Sequence, residues 1–146
     1  EELGIPTDLI SKNASRGMHQ SHADWARANE ARAKLRWACH ELFKDIDVLL
    51  TPQVPTTAFA HQTGGNHLSR RLVVDGKKRP YMDHIPWMSL ATTAYLPATS
   101  APIGLASDGL PVGIQIVGPF LGDYTSIRFA ELLAEVRGGF QPPPGY

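Results

Sequence analysis

Leu96-Pro-Ala-Thr-Ser-Ala-Pro-Ile-Gly-Leu-Ala-Ser-Asp-Gly-Leu-Pro-Val-Gly-Ile-Gln-Ile-Val-Gly-Pro119 is the stretch that decides the fold class. Two apolar runs flank Ser107-Asp108-Gly109. Asp-Gly between strand-like runs signals a hairpin, because both residue types tolerate positive φ. In the second run Val112, Ile114 and Ile116 share one face, and Gly113, Gln115 and Val117 share the other. Pro102, Pro111 and Pro119 lack a backbone donor, which suits run ends, edges or bulges.

Outward from this pair the pattern is helical on both sides. Ile85 to Tyr95 reads as a helix with Ile85, Met88 and Thr92 on one face. Downstream, a helix is expected from about Tyr124 to Val136, capped by Asp123 and ended by Gly138-Gly139, with Ile127, Ala130, Leu133 and Ala134 on one side. Upstream, Leu72 to Lys78 reads as a small hairpin around Asp75-Gly76. Residues 53–70 form a long loop, a length that in compact domains is often functional. Val48 to Leu50 is a buried strand stopped by Thr51-Pro52. Before it, Ser21 or Asp24 caps a helix to about Phe43, with Trp25, Ala28, Leu35, Cys39 and Leu42 as its apolar stripe. Residues 1–20 read as a connecting segment, and 140–146 as an extended proline-rich tail. The succession of helix, strand, loop, hairpin, helix, strand pair and helix is α/β.

The bulk numbers narrow the function classes. The chain has 146 residues, with fourteen basic side chains balancing fourteen acidic ones. That length is one domain or part of one. Zero net charge gives no reason to expect nucleic acid or an anionic membrane as a partner. No apolar run reaches the 18 residues that suggest a membrane span. The single cysteine, Cys39, forms no intrachain disulfide, which fits a reducing, cytoplasmic setting. The chain starts at Glu1 without an initiator methionine or a signal-peptide pattern, so a cut from a longer polypeptide is expected.

Three segments in order resemble the amidase signature family. Gly109-Leu110-Pro111-Val112-Gly113-Ile114-Gln115-Ile116-Val117-Gly118 is similar to its "G-L-P-x-G-x-Q-x-x-G" segment. Pro97-Ala98-Thr99-Ser100-Ala101-Pro102-Ile103-Gly104 is similar to "P-A-x-S-x-P-x-G". Asp47-Val48-Leu49-Leu50-Thr51-Pro52 is similar to "D-x-L-L-x-P". The resemblance implies the carboxyl-terminal part of a mixed β-sheet covered by helices, an α/β/α sandwich. It also implies an enzyme that hydrolyses a carboxamide C–N bond to acid plus ammonia or amine with a Ser-Ser-Lys triad, without metal or organic cofactor. In that chemistry a serine attacks, a second serine relays the proton and a neutral lysine accepts it.

The chain has no Ser-Ser pair and no glycine-flanked nucleophile serine, so no triad residue carries over to any position. The expectation is that the triad and the missing amino-terminal part lie on other sequence, and that this chain alone is inactive. Resemblance also implies that the carboxyl-terminal part helps wall the pocket for a small-molecule amide. Trp87, Met88 and Tyr95 are the substrate-binding candidates, with ordinary core packing as the competing reading. Gln115 breaks an apolar strand and needs a hydrogen-bond partner if buried. Thr92-Thr93-Ala94-Tyr95-Leu96 stands where many members place Asn and Gly before the Pro-Ala pair. That departure argues toward a stand-alone amidase and away from the glutamine-hydrolysing subunit of a tRNA-dependent amidotransferase.

Other clusters point to bland roles. Ser100 with His84 as base and Asp83 as orienter is a poor triad, because adjacent residues face apart; a strand hydroxyl is the simpler account. His19, His22, Cys39 and His40 are metal-ligand types. However, His22 and His40 sit roughly 27 Å apart on a continuous helix at 1.5 Å per residue, so no shared ion is expected. Arg70, Arg71, Lys77, Lys78 and Arg79 read as a solvated hairpin. The alternative to the enzyme reading is a non-catalytic truncated relative acting as an interaction or assembly domain, possibly as a homo-oligomer, through an exposed sheet edge.

Overall fold

The computed structural model describes residues 16–65 and 69–142. Most of the expected connecting segment and the last four residues of the expected tail lie outside the described residues. In chain order the elements are α1 (His22–Leu42), β1 (Leu49–Pro52), β2 (Arg71–Val74), β3 (Lys77–Pro80), a 3-10 turn (Tyr81–His84), α2 (Ile85–Ala94), β4 (Ala98–Leu105), β5 (Pro111–Val117) and α3 (Asp123–Arg137). The α/β class and the element order match the sequence reading. Every strand pairing among the described residues is antiparallel.

The main sheet has the order β1-β5-β4. The β4–β5 hairpin closes as expected, but only Gly109 takes positive φ, at 81°. Asp108 instead accepts the Leu110 N–H through its carboxylate at 3.1 Å. The result is a three-residue loop held by Gly109 N–H to Ala106 O, and by Ala106 N–H to Leu110 O. The prolines sit where a missing donor is harmless. Pro111 begins β5, Pro52 ends edge strand β1, and Pro102 borders the irregularity in edge strand β4 before Gly104. β1 therefore runs through Thr51-Pro52 rather than stopping before them.

The two faces of this sheet carry different helices. Residues opposite each other in an antiparallel ladder share a face. Thr99, opposite Ile116, exchanges a hydroxyl hydrogen bond with Ser126 of α3 at 2.9 Å. Thr51, Gln115 and Ser100 share the other face, where Gln115 reaches the carbonyl of Trp87 in α2 at 3.2 Å. Ile116 and Val117 are fully buried and form the centre of the core.

Helix α3 starts at Asp123 with Gly122 as its cap, so Asp123 is the first helical residue and makes no capping bond. Its acid still favours the positive helix start. The fully buried residue of α3 is Ser126, whereas the expected core residue Ile127 is 45% exposed. α3 lies chiefly over β4, where small side chains allow close approach, so Ser126 rather than Ile127 meets the sheet. At the far end Arg137 donates to the Ile103 carbonyl at 2.8 and 3.2 Å, where the β4 register shifts.

The β2–β3 hairpin turns through Asp75 and Gly76, both at positive φ. The preceding loop is tied to it by Gln62, whose amide accepts the Arg71 N–H and donates to the Arg71 carbonyl, as a neighbouring strand would.

α1 begins as the sequence predicts. Ser21 and Asp24 form a capping box, and Ser21 Oγ accepts the Asp24 N–H at 3.1 Å. Its stripe is another matter. Only Cys39 is buried, while Trp25, Ala28 and Leu42 are exposed, because α2 is the main element packed against α1. Ser21→Ala is expected to lower stability by about 1 kcal/mol in urea unfolding. The Ser21 hydroxyl and then Arg27 hold the Asp24 carboxyl below its ordinary range. A lowered folded value means that the contribution of Asp24 is present at neutral pH and fades as pH falls below about 4. The Ser21→Ala difference is expected to shrink over that window.

Candidate functional site

Gln115 is the most informative polar side chain in the core. It is buried, and its amide donates to Thr51 Oγ1 at 2.9 Å as well as to the Trp87 carbonyl. The demand for a partner read from the sequence is met twice, and the bonds join three elements: β1, β5 and α2. One rung further, Gln53 reaches across β5 to donate to the Ser100 hydroxyl. It passes over Gly113, where an added Cβ would lie 3.0 Å from Gln53 Oε1. Thr51, Gln53, Ser100 and Gln115 thus make a polar band on one face of an otherwise apolar sheet.

A groove of about 450 Å³ opens beside this band, lined by Thr51, Pro52, Val54, Ile103, Val112 and Gly113 among others. Its walls are apolar with a few hydroxyls, the ordinary make-up of a small-molecule surface.

The structure separates the three predicted pocket residues. Trp87 and Met88 lie on the first turns of α2, both more than a third exposed. Tyr95 caps the other end of α2 in the left-handed conformation, about 10 Å further along the axis at 1.5 Å per residue. Its ring is half exposed and carries two cations, Arg32 at 4.4 Å and Arg36 at 4.9 Å, so it braces α1 against α2. Trp87 and Met88 remain together; Tyr95 belongs to a different surface.

Sequence reasoning missed a second concavity, a cleft of about 580 Å³ between α1 and the segment after β5. Arg36, Trp37, His40, Phe43, Leu96 and Phe120 are among its walls. The signal was present: Trp37, Arg36 and His40 lie on α1 beside the expected stripe.

The Ser100, His84 and Asp83 side chains are not assembled into a triad. Ser100 Oγ takes the Gln53 amide, His84 Nδ1 meets the Tyr81 carbonyl at 2.5 Å, and Asp83 pairs with Arg79 at 3.7 Å. Burial pushes the Cys39 thiol up, which disfavours the thiolate a nucleophile needs. No group of three or more metal-ligating side chains converges among the described residues. No helix among them is long and apolar enough to cross a membrane.

A family model for Amidase matches residues 5–127. The chain belongs to the amidase family. The match takes in the whole β1-β5-β4 sheet, α1 and α2. Among curated amidase-family relatives, a glutamyl-tRNA(Gln) amidotransferase subunit of Brevibacillus brevis is 32% identical over 122 residues, covering 84% of this chain and 23% of that protein. The same amidotransferase subunit in Rhizorhabdus wittichii is 35% identical, covering 84% and 22%. These names weigh against reading Thr92–Leu96 as a sign of a stand-alone amidase. The solved structure of the glutamyl-tRNA(Gln) amidotransferase subunit from Thermotoga maritima superposes with a TM-score of 0.61 at 26% identity, over 98% of this chain and 31% of that one. A structure described as a vestigial protein complex revealing the evolutionary origins of an s-triazine catabolic enzyme superposes at 0.67 and 25% identity, over 91% and 28%. The chain spans about a quarter of the length of the curated relatives it matches.

Proposed function

We propose that this chain is the carboxyl-terminal portion of an amidase-type enzyme that cleaves a carboxamide C–N bond to acid plus ammonia or amine. The nucleophile, relay and base, a Ser-Ser-Lys set by family resemblance, belong to sequence outside this chain. One observation carries the reading: an amidase-family match over residues 5–127 that amounts to about a quarter of its relatives, with no Ser-Ser pair in it. In this reading the chain contributes the polar band around Gln115 and the Trp87–Met88 turn as one wall of the amide pocket. An amide bond needs a wall with both character types, apolar for the acyl group and polar for the carboxamide. The setting is cytoplasmic, consistent with a lone, buried, free cysteine.

Ammonia release from acetamide, benzamide and glutamine tests the division of labour. The 146-residue chain alone is expected to show no turnover above the buffer blank. A polypeptide that includes the upstream coding sequence is expected to turn over at least one amide, and to lose it when its Ser-Ser pair is replaced. Serine-dependent turnover by the short chain would remove the claim that the triad lies elsewhere.

A further inference from the structure

The cleft beside α1 is not used by the amide chemistry, and the helix that walls it is unusually bare. At 1.5 Å per residue, the 21 residues of α1 extend about 32 Å, yet only Cys39 is buried. Helices of globular proteins owe most of their stability to a packed apolar face. Trp37, on the cleft wall, is 68% exposed, and Phe120 opposite is 50% exposed. The guanidinium of Arg36 lies over two rings, Tyr95 at 4.9 Å and Phe120 at 5.1 Å. Arg36, His40 and Lys44 line the cleft and no Asp or Glu does. Tryptophan, tyrosine and arginine gathered round a concavity are the side chains that dominate protein interfaces.

What covers this surface follows from the coverage of the relatives. The family match includes α1 and Phe120, so the cleft is part of the shared fold and not an appendage. A structure that superposes on 91% of this chain matches it over only 28% of its own length, so most of that fold lies outside the match. We infer that the α1 cleft seats the remaining, amino-terminal part of the amidase fold, which inserts an apolar side chain between Trp37 and Phe120 and sets carboxylates against Arg36 and Lys44. The inference rests on the reading of the chain as one portion of an amidase.

The test is co-expression of this chain with a tagged part of the Brevibacillus brevis amidotransferase subunit from which the matching segment has been removed. The two are expected to co-purify in equal amounts. Trp37→Glu and Arg36→Glu are each expected to weaken that association at least tenfold, with helix content by circular dichroism unchanged. Tyr124→Glu, on the exposed side of α3, is expected to associate like the unsubstituted chain. Absence of co-purification would overturn the inference, as would a Trp37→Glu chain that associates normally, or a Tyr124→Glu chain that fails as badly. Saturable quenching of tryptophan emission by benzoate, lost in Trp37→Phe and undisturbed by the tagged partner, would instead make the cleft a small-molecule site and overturn it too. A complex that forms but releases no ammonia would leave the seat standing and remove only the hydrolysis reading.

Discussion

Replacing Ile116 by alanine is expected to lower the unfolding free energy by about 2–5 kcal/mol, and Ile116→Val by about 0.5–1.5 kcal/mol. Ile116 is fully buried in the central strand, opposite Leu50 of β1 and Thr99 of β4. Both ladders and the α3 layer meet at this side chain. Truncation removes transferred apolar surface and leaves a cavity that strands pinned on both sides cannot close. Urea unfolding followed by circular dichroism would report the loss as a lower midpoint at an unchanged slope. A shift corresponding to less than about 1 kcal/mol for the alanine variant would mean that the sheet is not packed as described.

Gln115→Glu is the second large effect, and its sign depends on pH. The Gln115 amide donates to the Trp87 carbonyl, and a carboxylate there meets an acceptor with an acceptor. The Thr51 hydroxyl can turn to donate, but the Trp87 carbonyl cannot. A buried charge without a full set of partners costs about 3–5 kcal/mol. The same site raises the folded pKa of the new glutamate above its unfolded value of about 4.3. The penalty is therefore absent below about pH 4, where the protonated acid donates as the amide did, and grows as pH rises through neutrality. Unfolding at about pH 3.5 and about pH 7 separates the two regimes. An equal loss at both would show that shape, not charge, is being read at this position.

Much of the fold was legible from local chemistry. The Asp-Gly turns, the capping box at Ser21 and the period-two run from Val112 to Val117 each depend on neighbours in sequence, so the chain states them directly. Element ends were less legible. Thr51-Pro52 continues β1 because its partner lies on one side only, and Asp123 yields the cap to Gly122. Ser126 rather than Ile127 meets the sheet because the small residues of β4 let α3 approach there. Each of these outcomes depends on what packs against the element, which no spacing records.

The candidate site divides in the same way. The sequence alone identified the family segments, the absence of a Ser-Ser pair and the need of Gln115 for a partner, since composition and short-range pattern carry all three. Only the tertiary structure showed that Gln115 joins Thr51 to the Trp87 carbonyl. It also separated Tyr95 from Trp87 and Met88, and left α1 with a bare aromatic and cationic cleft. Those facts hang on contacts between residues 28 and 64 positions apart, and on surface that folding leaves uncovered. Distances of that kind are set by how layers stack, a long-range property that local periodicity does not encode.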